Sequence, residues 1–233
     1  MRLVIRDLCK NYDEVTVIGK ASYTFEQGRV YAIAGVARSG KTTLLECIGR
    51  EVLPDGGSVM LSGADGLRKA DYGDFGYVTR EPVIMEYMAG AEYVRYCMEL
   101  HGKEGREAAG EYFRLLGLNE ELQEMLIREY TAEEKRALQM AGIMAADPPV
   151  ILMDEPFCGD GGRAAECFIR EMRPGHIIIM TTSSLEAVRA VSDEILLLNH
   201  GAIEGFVMAS LEDRGILRHI ESILTESGDE NDA

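Results

Sequence analysis

The sequence has no tryptophan, and none of its stretches approaches the roughly 18 to 20 uninterrupted apolar residues that a membrane-spanning helix needs. No membrane span is therefore expected. Residues 1–14, MRLVIRDLCKNYDE, lack the apolar core of a signal peptide, so the chain is expected to be made and kept in the cytosol. Its five cysteines, Cys9, Cys47, Cys97, Cys158 and Cys167, form an odd set without a C-x-x-C pair. That excludes an obvious disulfide framework or zinc site and predicts reduced, mostly buried thiols. Basic residues are scarce: 24 Lys and Arg stand against 40 Asp and Glu, a net charge of −16. A broad nucleic-acid-binding face needs the opposite balance, so no nucleic-acid partner is expected. Internal repeats and low-complexity linkers are also lacking.

What is present supports a packed core. Apolar residues make up 46% and charged residues 27% of 233 positions, which suits one α/β domain carrying a lobe. Residues 226–233, ESGDENDA, hold too little apolar surface to fold and are expected to form a disordered acidic tail. Short β-branched runs at 2–5, 15–18 and Val30–Ala34 read as strands, and 41–50 has helical spacing. From about 87 to 146 apolar residues recur at helical intervals, predicting a helical lobe. Strands return at Val150–Met153, 176–181 and 195–198, with a helix at Gly162–Met172, so parallel βα units are expected.

Gly35-Val36-Ala37-Arg38-Ser39-Gly40-Lys41-Thr42 fits G-x-x-x-x-G-K-[ST] between a strand and a helix. In such a loop backbone N–H groups and the helix N-terminus cradle phosphates, the lysine reaches the β- and γ-phosphates, and the Thr hydroxyl is set for Mg²⁺. Chance alone produces such a match about once in two hundred chains of this composition. Arg38 stands where a flexible glycine is common; its guanidinium either adds a phosphate contact or points to solvent. Further on, Val150-Ile151-Leu152-Met153-Asp154-Glu155 places two carboxylates at the end of a buried strand, where ligands bind in such sheets. Asp154 is a candidate Mg²⁺ ligand with Thr42. Glu155 is a candidate base for water attacking a γ-phosphate, and with Lys41 makes up the candidate catalytic pair.

With these motifs in order, the chain resembles the ATP-binding cassette (ABC) family of ATPases from about residue 3 to residue 207. Residues 115–118, LLGL, precede Tyr130-Thr131-Ala132-Glu133-Glu134, and the spacing from there through Asp147-Pro148 to Asp154-Glu155-Pro156 fits the family without a gap. The resemblance implies a three-layer α/β P-loop NTPase core with an N-terminal antiparallel β subdomain and the helical lobe. It makes 1–225 one ABC ATP-binding domain. It also puts Tyr12 where the family stacks an aromatic on adenine, although a half-buried hairpin tyrosine fits the same position. The implied nucleotide-binding set is Tyr12, Gly35, Arg38, Ser39, Gly40, Lys41, Thr42 and Thr43, and the cofactors are ATP and Mg²⁺.

The departures are specific. The family's LSGGQ reads YTAEE here, so Ala132 and Glu133 replace both glycines. Arg80 occupies the position of a Gln in the loop to the lobe, and Thr182 the position of a His after the strand at 176–181. The loop at Gly159-Asp160 is one residue short. These changes leave the residues for binding Mg-ATP and alter those for fast turnover. The resemblance thus implies the ATP-binding subunit of an ABC transporter, a slow ATPase at the inner face of the membrane. Its implied partners are a transmembrane permease and a second cassette, identical or different. Residues 86–96, rich in aromatics, either touch that permease or form the core of the lobe, and the order of elements resembles exporters of the drug and lipid-linked type. A soluble cassette acting in regulation or assembly is the alternative, and a small-molecule kinase a more distant one.

Overall fold

The computed structural model describes residues 1–63, 66–102, 108–158, 162–199 and 201–208, together with 215, 216, 218, 220 and 222. The acidic stretch 226–233 and the shortened loop at Gly159-Asp160 lie outside the described residues. The chain opens with two long antiparallel strands, β1 (Arg2–Tyr12) and β2 (Val15–Glu26), and then enters β3 (Val30–Ala34) and α1 (Lys41–Gly49). Three more strands follow, β4 (Gly56–Gly63), β5 (Gly66–Lys69) and β6 (Phe75–Val78). The lobe holds α2 (Gly90–Leu100), α3 (Ala108–Leu115) and α4 (Ala132–Ala146). Afterwards come β7 (Val150–Met153), α5 (Gly162–Met172), β8 (Ile177–Thr182), α6 (Leu185–Val188), β9 (Glu194–Asn199) and β10 (Ala202–Val207).

Two sheets result. One is antiparallel in the order β2-β1-β4-β5; the other runs β10-β9-β3-β8-β7-β6, parallel except for the β10 edge. Strict alternation in the central strands divides the larger sheet into two buried faces. Ala32, Ile151, Met153, Ile178 and Met180 face a core shared with α2, α4 and α5. Tyr31, Ile33, Leu152, Ile177 and Ile179 face a second core with α1 and the antiparallel sheet. Helix α1 therefore lies between two sheets. Leu44, Leu45 and Ile48 are fully buried, each worth roughly 1.5–3 kcal/mol relative to exposure, so the loop leading into α1 is clamped at the centre of the molecule.

Several expectations are revised. Strands β1 and β2 extend well beyond 2–5 and 15–18. The strand at 176–181 starts and ends one residue later, and 195–198 gains a residue at each end. Strands β4, β5 and β6 were not expected from the sequence, and β6 ends two residues before Arg80. All five thiols are free, but only Cys47 is buried; Cys158 is exposed, because it stands in the turn after the acidic pair.

Within the lobe, α2 and α4 approach closely at Gly142, where an added Cβ would lie 2.8 Å from Tyr93 Cε1 and 2.9 Å from Cys97 Sγ. Tyr93 and Met88 pack into the lobe core, whereas Tyr87 is 85% exposed. Part of the aromatic stretch thus belongs to the core of the lobe, and Tyr87 does not.

Candidate functional site

Strands β3, β8 and β7 are neighbours in that order, so their C-terminal ends bring the loop at 35–42, Thr181 and the acidic pair together. Gly40 takes φ +94°, a left-handed backbone that only glycine adopts without strain, and its carbonyl receives the N–H of Leu44 at 2.8 Å to start α1. Arg38 is also left-handed, at φ +66°, which explains why glycine is the commoner residue there. Its side chain is exposed on the cleft wall.

Lys41 is 8% exposed, and its ammonium donates to the carbonyls of Gly35 and Val36, both at 2.7 Å. Burial holds this lysine below its usual range, against the opposing pull of Glu155 and Asp154. Thr42 Oγ1 donates to Asp154, 3.2 Å from each carboxylate oxygen, so the two candidate metal ligands touch. Thr181 Oγ1 donates to Asp154 Oδ1 at 2.5 Å and accepts the Glu155 N–H at 2.9 Å. Glu155 sits at φ +47°, and its Oε2 accepts from the Ser183 N–H at 3.2 Å and the Ser183 hydroxyl at 3.3 Å. Thr181 and Ser183 were not among the candidates. The parallel register, which pairs Met153 with Met180, sets Thr181 beside Asp154, and this pairing could be deduced only once the strand order was known.

These groups border a cleft of about 690 Å³, whose lining includes Tyr12, Arg38, Gly40, Lys41, Thr42, Thr43, Asp154 and Glu155. Gly35 and Ser39 are not among its lining residues. The Ser39 hydroxyl is buried and has no hydrogen-bond partner among the described residues. Tyr12, 46% exposed at the end of the β1–β2 hairpin, faces the cleft with Lys10 Nζ 5.3 Å from its ring centroid.

Arg80 lines the same cleft from the segment after β6. Its backbone is fixed by α4: Arg136 donates to Arg80 O at 3.2 Å and to Cys158 O at 2.7 Å. The amide of Gln139 pairs with the N–H and hydroxyl of Thr79 at 3.2 and 3.1 Å. Thr182 Oγ1 donates to Ser184 O and accepts from Ser184 N, so it is engaged in its own turn.

At the head of α4, Thr131 is the N-cap. Its hydroxyl accepts from Glu134 N, and the Glu134 carboxylate accepts from Thr131 N, a capping box. YTAEE therefore keeps a well-formed helix start although both glycines are gone. Glu133 is exposed in the first turn.

The fold and this cleft define a P-loop NTPase of mixed α/β architecture. The chain belongs to the ABC transporter family, whose model matches residues 18–158. It is 29% identical over 210 residues to the Fe(3+) ions import ATP-binding protein FbpC 1 of Rhizobium meliloti, an alignment covering 86% of this chain and 59% of that one. With the energy-coupling factor transporter ATP-binding protein EcfA2 of Mycoplasma pneumoniae it shares 28% over 233 residues, 92% and 77% of the two chains. Among solved structures, an ATP-binding subunit of an ABC transporter superposes with a TM-score of 0.84 at 20% identity, covering 97% of this chain and all of the other. A dimeric cassette in a post-hydrolysis state bound to ADP and Pi gives 0.77 at 18% identity, over 88% and 98%. No helix among the described residues is long and apolar enough to cross a membrane.

Proposed function

We propose that this chain is the ATP-binding subunit of an ABC transporter, binding Mg-ATP in the cleft between the loop at 35–42 and the acidic pair and hydrolysing it slowly. The observation that carries the reading is the convergence of Lys41, the touching pair Thr42 and Asp154, and Glu155 on one cleft. The orphaned Ser39 hydroxyl and the N–H groups at the start of α1 are unmatched donors of the kind that phosphate oxygens satisfy. Lys41, now held by its own loop, is free to exchange two carbonyls for phosphate oxygens, and Tyr12 offers a face for adenine.

The oxygen donors of Thr42 and Asp154 suit Mg²⁺, which when bound neutralises charge on the terminal phosphates. Glu155 orients a water and takes its proton as the water oxygen bonds to the γ-phosphorus and the bond to the ADP oxygen breaks. Ser183 holds the Glu155 carboxylate in place. No imidazole stands at 182, and Thr182 is engaged with Ser184, which supports slow turnover.

A groove of about 370 Å³ beside the cleft, lined by Glu46, Glu51, Tyr72, Phe75, Tyr77 and Val83, lies at the junction of core and lobe. With exposed Met85 and Tyr87 nearby in sequence, it supports docking of a transmembrane permease at the inner face of the membrane. A second cassette, identical or different, completes each site across a dimer. The name of the first relative, an iron import protein, favours uptake over the export suggested by element order.

The test is steady-state Mg-ATP hydrolysis with nucleotide binding recorded on the same samples, for wild type, Glu155→Gln and Lys41→Ala. Slow turnover lost in both variants, with binding weakened only by Lys41→Ala, is expected. Nucleotide binding indifferent to Lys41→Ala sinks the proposal.

A further inference from the structure

Among the described residues, three cationic side chains line the cleft: Arg38, Lys41 and Arg80. Lys41 is held by its own loop, and Arg38 stands on that same loop. Arg80 approaches from another element. Its guanidinium makes no hydrogen bond or ion pair among the described residues, while the backbone that carries it is fixed from three directions. Arg136 grips its carbonyl, Gln139 pairs with the preceding Thr79, and the Thr79 hydroxyl donates to the carbonyl of the following Glu81 at 2.7 Å. A rigid base carrying an unengaged planar cation into a cleft with Lys41, Asp154 and Glu155 is an arrangement awaiting an anion.

We propose that Arg80 reads the third phosphate, donating its N–H groups to γ-phosphate oxygens and making the cleft selective for nucleoside triphosphate over diphosphate. This inference rests on the nucleotide reading of the cleft. The loop at 35–42 serves phosphates that both nucleotides share, whereas the γ-phosphate adds charge and three oxygens that a guanidinium fork matches. A glutamine at this position would offer one uncharged amide, and Thr182 has no free hydroxyl to contribute. Arg80 thereby restores positive charge at the end of the site where a histidine is absent.

The experiment measures Mg-ATP and Mg-ADP affinities by calorimetry on the full chain, for wild type, Arg80→Ala, Arg80→Gln and Arg80→Lys, with Lys41→Ala as control. Each Arg80 substitution keeps the backbone carbonyl that Arg136 holds, and thermal unfolding of each variant checks the fold. Arg80→Ala and Arg80→Gln are expected to weaken ATP about tenfold, with Arg80→Lys between them and wild type. ADP affinity is expected to stay within about twofold, as screened long-range charge predicts. Equal losses for ATP and ADP, or no loss in either, overturn the role of Arg80 while leaving the cleft a nucleotide site. Wild type that binds neither nucleotide, or binding that Lys41→Ala leaves intact, overturns the nucleotide reading and this inference with it.

Discussion

Thr181 Oγ1 lies 2.5 Å from Asp154 Oδ1 and at the same time receives the N–H of Glu155, so one hydroxyl orients both acids. Thr181→Val keeps the shape and removes the hydroxyl, leaving a buried carboxylate and a backbone N–H each short of a partner. The expected cost is about 1–3 kcal/mol in urea unfolding, with a higher Mg²⁺ requirement for nucleotide binding. Unchanged stability and Mg²⁺ dependence would show that Asp154 is held by Thr42 alone.

Lys41 gives a pH signature in the nucleotide-free protein. Its folded-state pKa lies below the usual lysine value of 10.5 because burial disfavours the ammonium. Between the lowered value and 10.5 the unfolded chain binds more protons, so folding stability contributed by this group rises with pH. Relative to Lys41→Met, wild type should therefore gain stability as pH approaches 10.5. Parallel curves for the two proteins across that range would contradict the assignment.

Gly142 allows α2 and α4 to meet, since even one added carbon would crowd Tyr93 and Cys97. Gly142→Val should overpack the lobe by about 1–3 kcal/mol, visible as a lower urea midpoint. Because Gln139 lies one turn away and holds Thr79, the same variant should also loosen the segment bearing Arg80. Faster amide exchange at 79–81 would report it.

Glu133 adds an exposed carboxylate to the first turn of α4, the turn that in the proposed dimer would face the partner's nucleotide. Glu133→Gly removes that charge and should strengthen ATP-driven dimerisation of the Glu155→Gln protein by about threefold or more, read by light scattering. Dimerisation unaffected by Glu133→Gly would place this turn outside the interface.

The loop at 35–42 and the run ending in Asp154-Glu155 were legible because each is a local pattern flanked by a recognisable strand or helix. Length was harder to read. Strand β1 changes register between Ile5 and Leu8, Leu8 and Lys10, and Lys10 and Asn11, and each irregularity breaks the alternation that marks a strand. Strand β5 is exposed along its whole length, and β6 has only four residues with Gly76 among them, so neither offers an apolar period. Ser183, Thr181 and Arg136 act on the site through contacts spanning 22 to 56 residues, distances at which no spacing rule operates.

Arg136 sits in the second turn of α4 yet holds the carbonyls of two residues that line the cleft, Arg80 and Cys158. Hydrogen bonds of this kind weaken steeply once stretched by about half an ångström. A tilt of α4 must then either drag both segments along or release them together. A push delivered to the lobe would reach the cleft through these two segments of its lining, making this side chain a mechanical coupling whose strength sets how tightly lobe position and cleft lining move as one.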